Sequence, residues 1–101
     1  MLLMRDVLIA KPGQASKLAA LMNKMFDQEG MKGPRPRVMV DLVSDYNKVV
    51  IESEMEDLRD FEKMMTEVHK PGKKDPKMEK EMAEYHEMFL TGKREIYRIV
   101  D

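Results

Sequence analysis

The sequence predicts an α+β fold in which a four-stranded antiparallel sheet carries all its helices on one face, and three observations point there. Segments rich in Val and Ile recur at the start, middle and end of the chain, with chemistry alternating at the strand period. Between them run stretches whose apolar residues fall three and four apart, the spacing of one helix face. The resulting order, β-α-β-β-α(α)-β, closes with right-handed crossovers into strand order 4-1-3-2, the ferredoxin-like arrangement.

The first strand is Leu2 to Ala10, apolar apart from Arg5-Asp6 and stopped by Lys11-Pro12-Gly13. Gln14 to Glu29 follows as a helix with the stripe Leu18, Leu21, Met22, Met25 and Phe26, ended by Gly30. Gly33 with Pro34 and Pro36, following Gly30, makes Met31 to Pro36 a loop. Arg37 to Ser44 and Lys48 to Met55 alternate as strands across Asp45-Tyr46-Asn47, a hairpin. Leu58, Phe61, Met65 and Val68 mark a second helix ending near His69-Lys70-Pro71-Gly72, and Ser53-x-x-Glu56 offers one capping box for its start. Asp75-Pro76 opens a third helix with the stripe Met78, Met82, Tyr85 and Phe89, closed by Thr91-Gly92. Glu95 to Val100 is the last strand.

The 101 residues fit one domain spanning 1–101, with a core too small to leave much chain for a deep, self-contained site. There is no Cys and no Trp, so disulfides, thiolate metal sites and a Cys nucleophile are excluded. Lys and Arg total 18 against 19 Asp and Glu, and a net charge of -1 argues against nucleic acid or an anionic membrane as partner. No apolar run reaches a membrane span, and Arg5-Asp6 comes too early for a secretory signal, so the expected location is cytoplasmic.

Strand parity divides the sheet into two sets. Val7, Ile9, Val38, Val40, Leu42, Val49, Ile51, Tyr97 and Ile99 form a uniformly apolar set suited to the helices. The opposite set holds Met4, Leu8, Met39, Val43, Val50, Ile96 and Val100 together with Asp6, Asp41, Glu52, Glu54 and Arg98. That face is too apolar to leave in water and too charged for a dry core, which a homodimer through the open sheet face reconciles. An ordinary solvated face is the alternative. Arg98 is expected to pair with Asp6, and Asp41 to neighbour Glu52. No aromatic is expected on the open face, which argues against RNA stacking.

The element order, the Lys11-Pro12-Gly13 turn opening an amphipathic helix, the strand Val49-Val50-Ile51-Glu52-Ser53-Glu54 and the extra helix before the last strand resemble the dimeric α+β barrel superfamily, which includes antibiotic-biosynthesis monooxygenase-like and stress-responsive barrel domains. The resemblance implies a dimer with a pocket between sheet and helices. It also implies activities such as cofactor-independent oxygenation, haem degradation, lactone isomerisation or polyketide cyclisation. Absence of Trp disfavours the haem-degrading branch, and Arg5-Asp6 stands where the stress-responsive and cyclase branches usually carry a His.

The candidate catalytic residues are His86, Tyr85 and Tyr97. His86 follows Tyr85 at the edge of the third helical stripe, and an imidazole there suits acid–base work, although a boundary histidine on a helix surface needs no role. Tyr85 and Tyr97 are both placed on the inner side, where phenols would orient an aromatic molecule or simply fill a core. His69 fits a helix C-terminus. The 12 methionines raise a Cu(I) reading, but their spacing coincides with helix stripes and core filling explains them better. Lys70, Lys73, Lys74, Lys77 and Lys80 form a basic run balanced by Glu79, Glu81, Glu84 and Glu87. The expectation is a small dimeric enzyme, monooxygenase- or cyclase-like, acting without a bound cofactor on a small hydrophobic or aromatic molecule. Its rival is a non-catalytic small-molecule-binding or scaffold dimer.

Overall fold

The computed structural model describes residues 1–27, 35–68 and 76–100. Its elements are β1 (Leu2–Ala10), α1 (Ala15–Phe26), β2 (Arg37–Val40), β3 (Lys48–Met55), α2 (Leu58–Val68), α3 (Pro76–Tyr85) and β4 (Phe89–Arg98). The strands form one antiparallel sheet in the order β2-β3-β1-β4, as the sequence predicts. The β1–α1 turn takes Gly13 at φ 80°, a left-handed conformation that glycine adopts without steric cost, and the Gln14 amide donates to the Lys11 carbonyl at 2.9 Å.

The sealed core lies under α1. Leu18, Leu21 and Met22 descend from the helix onto Leu8 and Ala10 of β1 and Val49 and Ile51 of β3. Leu18 and Val49 are fully buried, each burial contributing about 1.5–3 kcal/mol. Gly92 faces Leu8 across β1–β4, and a Cβ there would stand 2.7 Å from Leu8 Cδ2, so the missing side chain lets Leu8 lean over the edge strand. The α2 half is different. Among its described side chains α2 buries none fully; Phe61, Met64 and Met65 are half-buried and Leu58 is exposed.

The register overturns the expected parity of two strands. Leu8 and Ala10 sit in the α1 core, so Leu2, Met4 and Asp6 share the helix-facing side of β1, while Val7 and Ile9 point to the open side. The pairs Met4↔Ile96, Asp6↔Arg94 and Leu2↔Arg98 then put Ile96, Arg94 and Arg98 toward the helices and Tyr97 on the open face. Apolar residues occupy both sides of β1, and each side has one charge, so alternation alone did not select the buried one. For β2 and β3 the expected sides hold, with Val38, Val49 and Ile51 inward.

Three boundaries also differ. β2 stops at Val40 because the Asp41 carboxylate turns back, accepting from Ser44 Oγ at 2.6 Å and the Lys48 amide at 3.0 Å. Tyr46 and Asn47 complete that turn at positive φ, leaving Leu42 and Val43 96% exposed. α3 ends at Tyr85, and β4 begins at Phe89 and runs through Thr91-Gly92, because pairing with β1 satisfies a backbone the helix would leave unpaired. Asp57, not Ser53, caps α2. Its Oδ1 accepts from the Arg59 and Asp60 amides, and Asp60 Oδ2 accepts in return from the Glu56 and Asp57 amides. Ser53 remains in β3 with its buried hydroxyl unpartnered. The α1 residues expected beyond Asp27, the expected cap Asp75, His69, Lys70, Lys73 and Lys74, and the side chains of Lys77, Met78 and Met82, lie outside the described residues.

Candidate functional site

Beneath α2 the sheet presents an ion pair where α1 meets only apolar residues. Register places Asp6 beside Arg94, and the guanidinium grips the carboxylate twice: Nε to Oδ1 at 2.7 Å and Nη2 to Oδ2 at 3.3 Å. The Asp6 side chain is 18% exposed and that of Arg94 41%, so the pair sits at the mouth of the helix–sheet layer. Among the described residues the third guanidinium nitrogen, Nη1, meets only the thioether of Met65, 3.4 Å away, and the Arg94 carbon lies 5.3 Å from the centre of the Phe61 ring. Salt-bridging to Asp6 holds the Arg94 pKa above its ordinary value against the opposing effect of burial. The fork is therefore fixed in place with donors left over.

Tyr85, the last residue of α3, stands beside this pair. Burial pushes its phenol pKa up, Asp6 adds to the rise and Arg94 opposes it, so the group is a neutral hydroxyl across the physiological range. Its ring packs on Phe89 at 5.0 Å and on His86 at 4.7 Å between centroids. His86 follows the end of α3 and is exposed, its ring also 6.2 Å from that of Phe89. The arrangement gathers aromatic and thioether surface from Phe61, Met65 and Tyr85 around two kinds of hydrogen-bond donor, the Arg94 guanidinium and the phenol.

Of the three expected catalytic residues, the structure brings Tyr85 and His86 together and separates Tyr97 from them. Tyr97 lies on the open face, 45% exposed, its hydroxyl donating to Glu95. That bond holds the Glu95 carboxyl below its ordinary pKa and the phenol above its own. The open face thus carries one aromatic where none was expected. On the same face Arg5, Val7, Met39, Val50 and Glu52 are among the residues that line an open groove of 390 Å³. Glu52 takes both Arg5, at 2.6 Å, and Arg37, at 3.4 Å, and lies opposite Arg37 in the register, while Asp41 lies opposite Lys48. The expected Asp41–Glu52 carboxylate pair does not form, and Asp6 pairs with Arg94 rather than Arg98.

Sequence reasoning missed Asp6 and Arg94 as site residues. The available signal was a carboxylate inside an otherwise apolar strand, which demands a partner; the partner was hidden because Arg94 was placed before the last strand. Among the described residues no group of three or more His, Cys, Asp or Glu is arranged to hold a metal ion. No helix among them is long and apolar enough to cross a membrane.

No protein-family model matches the chain, and no curated protein matches it in sequence. Solved structures are similar over nearly its whole length. An uncharacterized NIPSNAP-like domain protein from Burkholderia xenovorans superposes with TM-score 0.77 at 14% identity, covering 98% of this chain and 84% of that one. A second NIPSNAP domain protein from the same organism gives 0.74 at 12% identity, covering 99% and 95%. A proposed antibiotic biosynthesis monooxygenase from Deinococcus radiodurans gives 0.67 at 18% identity, covering 100% and 94%. At such identities the likeness is one of architecture, and the chain has the ferredoxin-like α+β fold shared by NIPSNAP domain proteins and antibiotic biosynthesis monooxygenase-like proteins.

Proposed function

We propose that this protein is a homodimeric α+β barrel that binds a small hydrophobic, aromatic molecule under α2 and acts on it without a tightly bound cofactor, in the manner of a monooxygenase or cyclase. The observation that carries the reading is the half-exposed Asp6–Arg94 ion pair on the helix-facing side of the sheet, with Phe61 and Met65 of α2 against the guanidinium and the neutral phenol of Tyr85, itself packed on the edge of the α1 core, beside it. In this reading Tyr85 donates a hydrogen bond to a ligand oxygen, and His86 takes or returns a proton at the rim. The proposed dimer meets through the open sheet face, whose Val7, Met39 and Val50 lie among charges already paired within one subunit. Such a face loses little electrostatically on contact with its copy.

Oxygen uptake with a panel of quinols and hydroxyanthrones tests the activity. Turnover that falls at least tenfold in Tyr85→Phe supports it. A non-catalytic binding role is favoured by the exposure of His86 and the distance of Tyr97 from the cleft. Ligand-induced thermal shifts without oxygen uptake or product, unchanged by His86→Ala, would select that role. Light scattering at micromolar concentration tests the dimer, and a monodisperse monomer overturns it.

A further inference from the structure

The helix-facing side of the sheet carries three charged residues among the described ones: Asp6, Arg94 and Arg98. Asp6 is spent on Arg94, and the Arg98 side chain, exposed on the same side of β4, makes no ion pair with any described residue. The charged residues of α2 from Leu58 to Thr66 are exposed, and Asp60 is engaged in the helix cap. Among the described residues that sheet side thus holds one surplus positive charge, and Arg94 Nη1 donates to a thioether, a weak acceptor that a carboxylate oxygen would displace.

We propose that the cleft under α2 recognises an aromatic carboxylate, its acid oxygen on Arg94 Nη1 with Arg98 supplying the second positive group, and its ring against Phe61 and Tyr85. The proposal rests on the reading of that cleft as a small-molecule site and adds the charge of the ligand. A monoanion matches the surplus of one; a phosphate dianion would leave negative charge beside Asp6. Arg94 and Arg98 are four strand residues apart, about 13 Å at the backbone, and with Arg94 held on Asp6 it is the exposed Arg98 side chain that leans toward the acid group. Asp6 is a positioning residue here, since its two hydrogen bonds present Nη1 toward Phe61 and Met65 rather than toward solvent.

The test is an amide NMR titration of the full chain with benzoate, benzamide and acetate. Benzoate is expected to shift signals at Phe61, Met65, Tyr85 and Arg94 saturably, benzamide to bind about tenfold more weakly, and acetate weaker still. R94Q should weaken benzoate about tenfold and R98Q about threefold, with R37Q, a cation of the open face, unchanged. Equal affinity for benzoate and benzamide overturns the acid recognition while leaving the cleft as a ligand site. Absence of saturable shifts with both compounds overturns the proposal and the ligand-site reading together. Should R94Q fail to fold, exposed Arg98 decides the matter: benzoate affinity unchanged in R98Q overturns the proposal.

Discussion

Paired truncations measure the asymmetry between the two helix–sheet layers. Leu18→Ala deletes three carbons from a side chain that is 0% exposed, wedged among Leu8, Ala10, Val49 and Ile51. At about 0.8 kcal/mol per carbon plus a cavity term, the cost comes to about 3 kcal/mol. For a domain of this size that lowers Tm by about 12–24 °C and consumes a large share of a stability of about 5–15 kcal/mol. Phe61→Ala deletes a larger side chain, which in a sealed core would cost about 3–5 kcal/mol. Phe61 is only half-buried, and its neighbours are a solvated guanidinium and a flexible thioether, so the expected cost is about 1.5 kcal/mol including the contact with Arg94. Urea unfolding of both variants, analysed with a common slope, gives the two numbers. If Phe61→Ala costs as much as Leu18→Ala, the layer under α2 is a closed core, and the cleft reasoning fails with it.

Four further outcomes follow from the same geometry. Asp57→Ala should destabilise by about 1 kcal/mol through loss of the α2 cap, whereas Ser53→Ala should be neutral or stabilising because its buried hydroxyl has no partner; thermal unfolding compares them, and a larger loss at Ser53 contradicts the cap assignment. Gly13→Ala should cost about 1–2 kcal/mol at its left-handed φ despite open space around it, and Gly92→Ala about 1 kcal/mol because Leu8 must shift; a stabilised Gly13→Ala would show that the turn is not held as described. A double-mutant cycle on Asp6→Asn and Arg94→Gln should return a coupling of about 1 kcal/mol, and a coupling near zero would remove Asp6 as the residue that positions Arg94. In Tyr97→Phe the Glu95 carboxyl loses the hydrogen bond that depresses its pKa, so its titration should move up. A depressed carboxylate contributes stability above its unfolded pKa and loses it as the pH falls through the folded value, so the variant should differ from the parent on the neutral side and converge with it in acid. Carboxyl-carbon NMR reads the shift, and an unmoved Glu95 would mean the contact is absent in solution.

The strand order, the limits of β1 and β3 and the inner face of α1 were legible because each rests on a local signal. Lys11-Pro12-Gly13 ends β1 wherever the rest of the chain goes, and Leu18, Leu21 and Met22 mark a helix face by spacing alone. Of the candidate residues, Tyr85 and His86 adjoin as the sequence places them, yet Tyr97 faces the other way, and the Asp6–Arg94 pair under α2 was not foreseen. Parity was the obstacle. A strand with apolar residues on both sides and Arg5 next to Asp6 satisfies either orientation in isolation, and one residue of error exchanges the two faces.

By itself, then, the sequence determined the α+β class, the element order and the absence of thiol chemistry, all of which follow from residue types and their short-range periodicity. Tertiary structure decided what faces what. Docking of Leu18, Leu21 and Met22 onto Leu8 and Ala10 chose the inner side of β1, and antiparallel pairing carried that choice to β4, turning Tyr97 out and Arg94 in. The same pairing drew Phe89 to Gly92 into the sheet in place of the helix end expected there, because ladder hydrogen bonds between residues far apart in sequence outweigh local helix propensity. The Asp6–Arg94 pair spans 88 positions of chain, and no local pattern records a contact of that range.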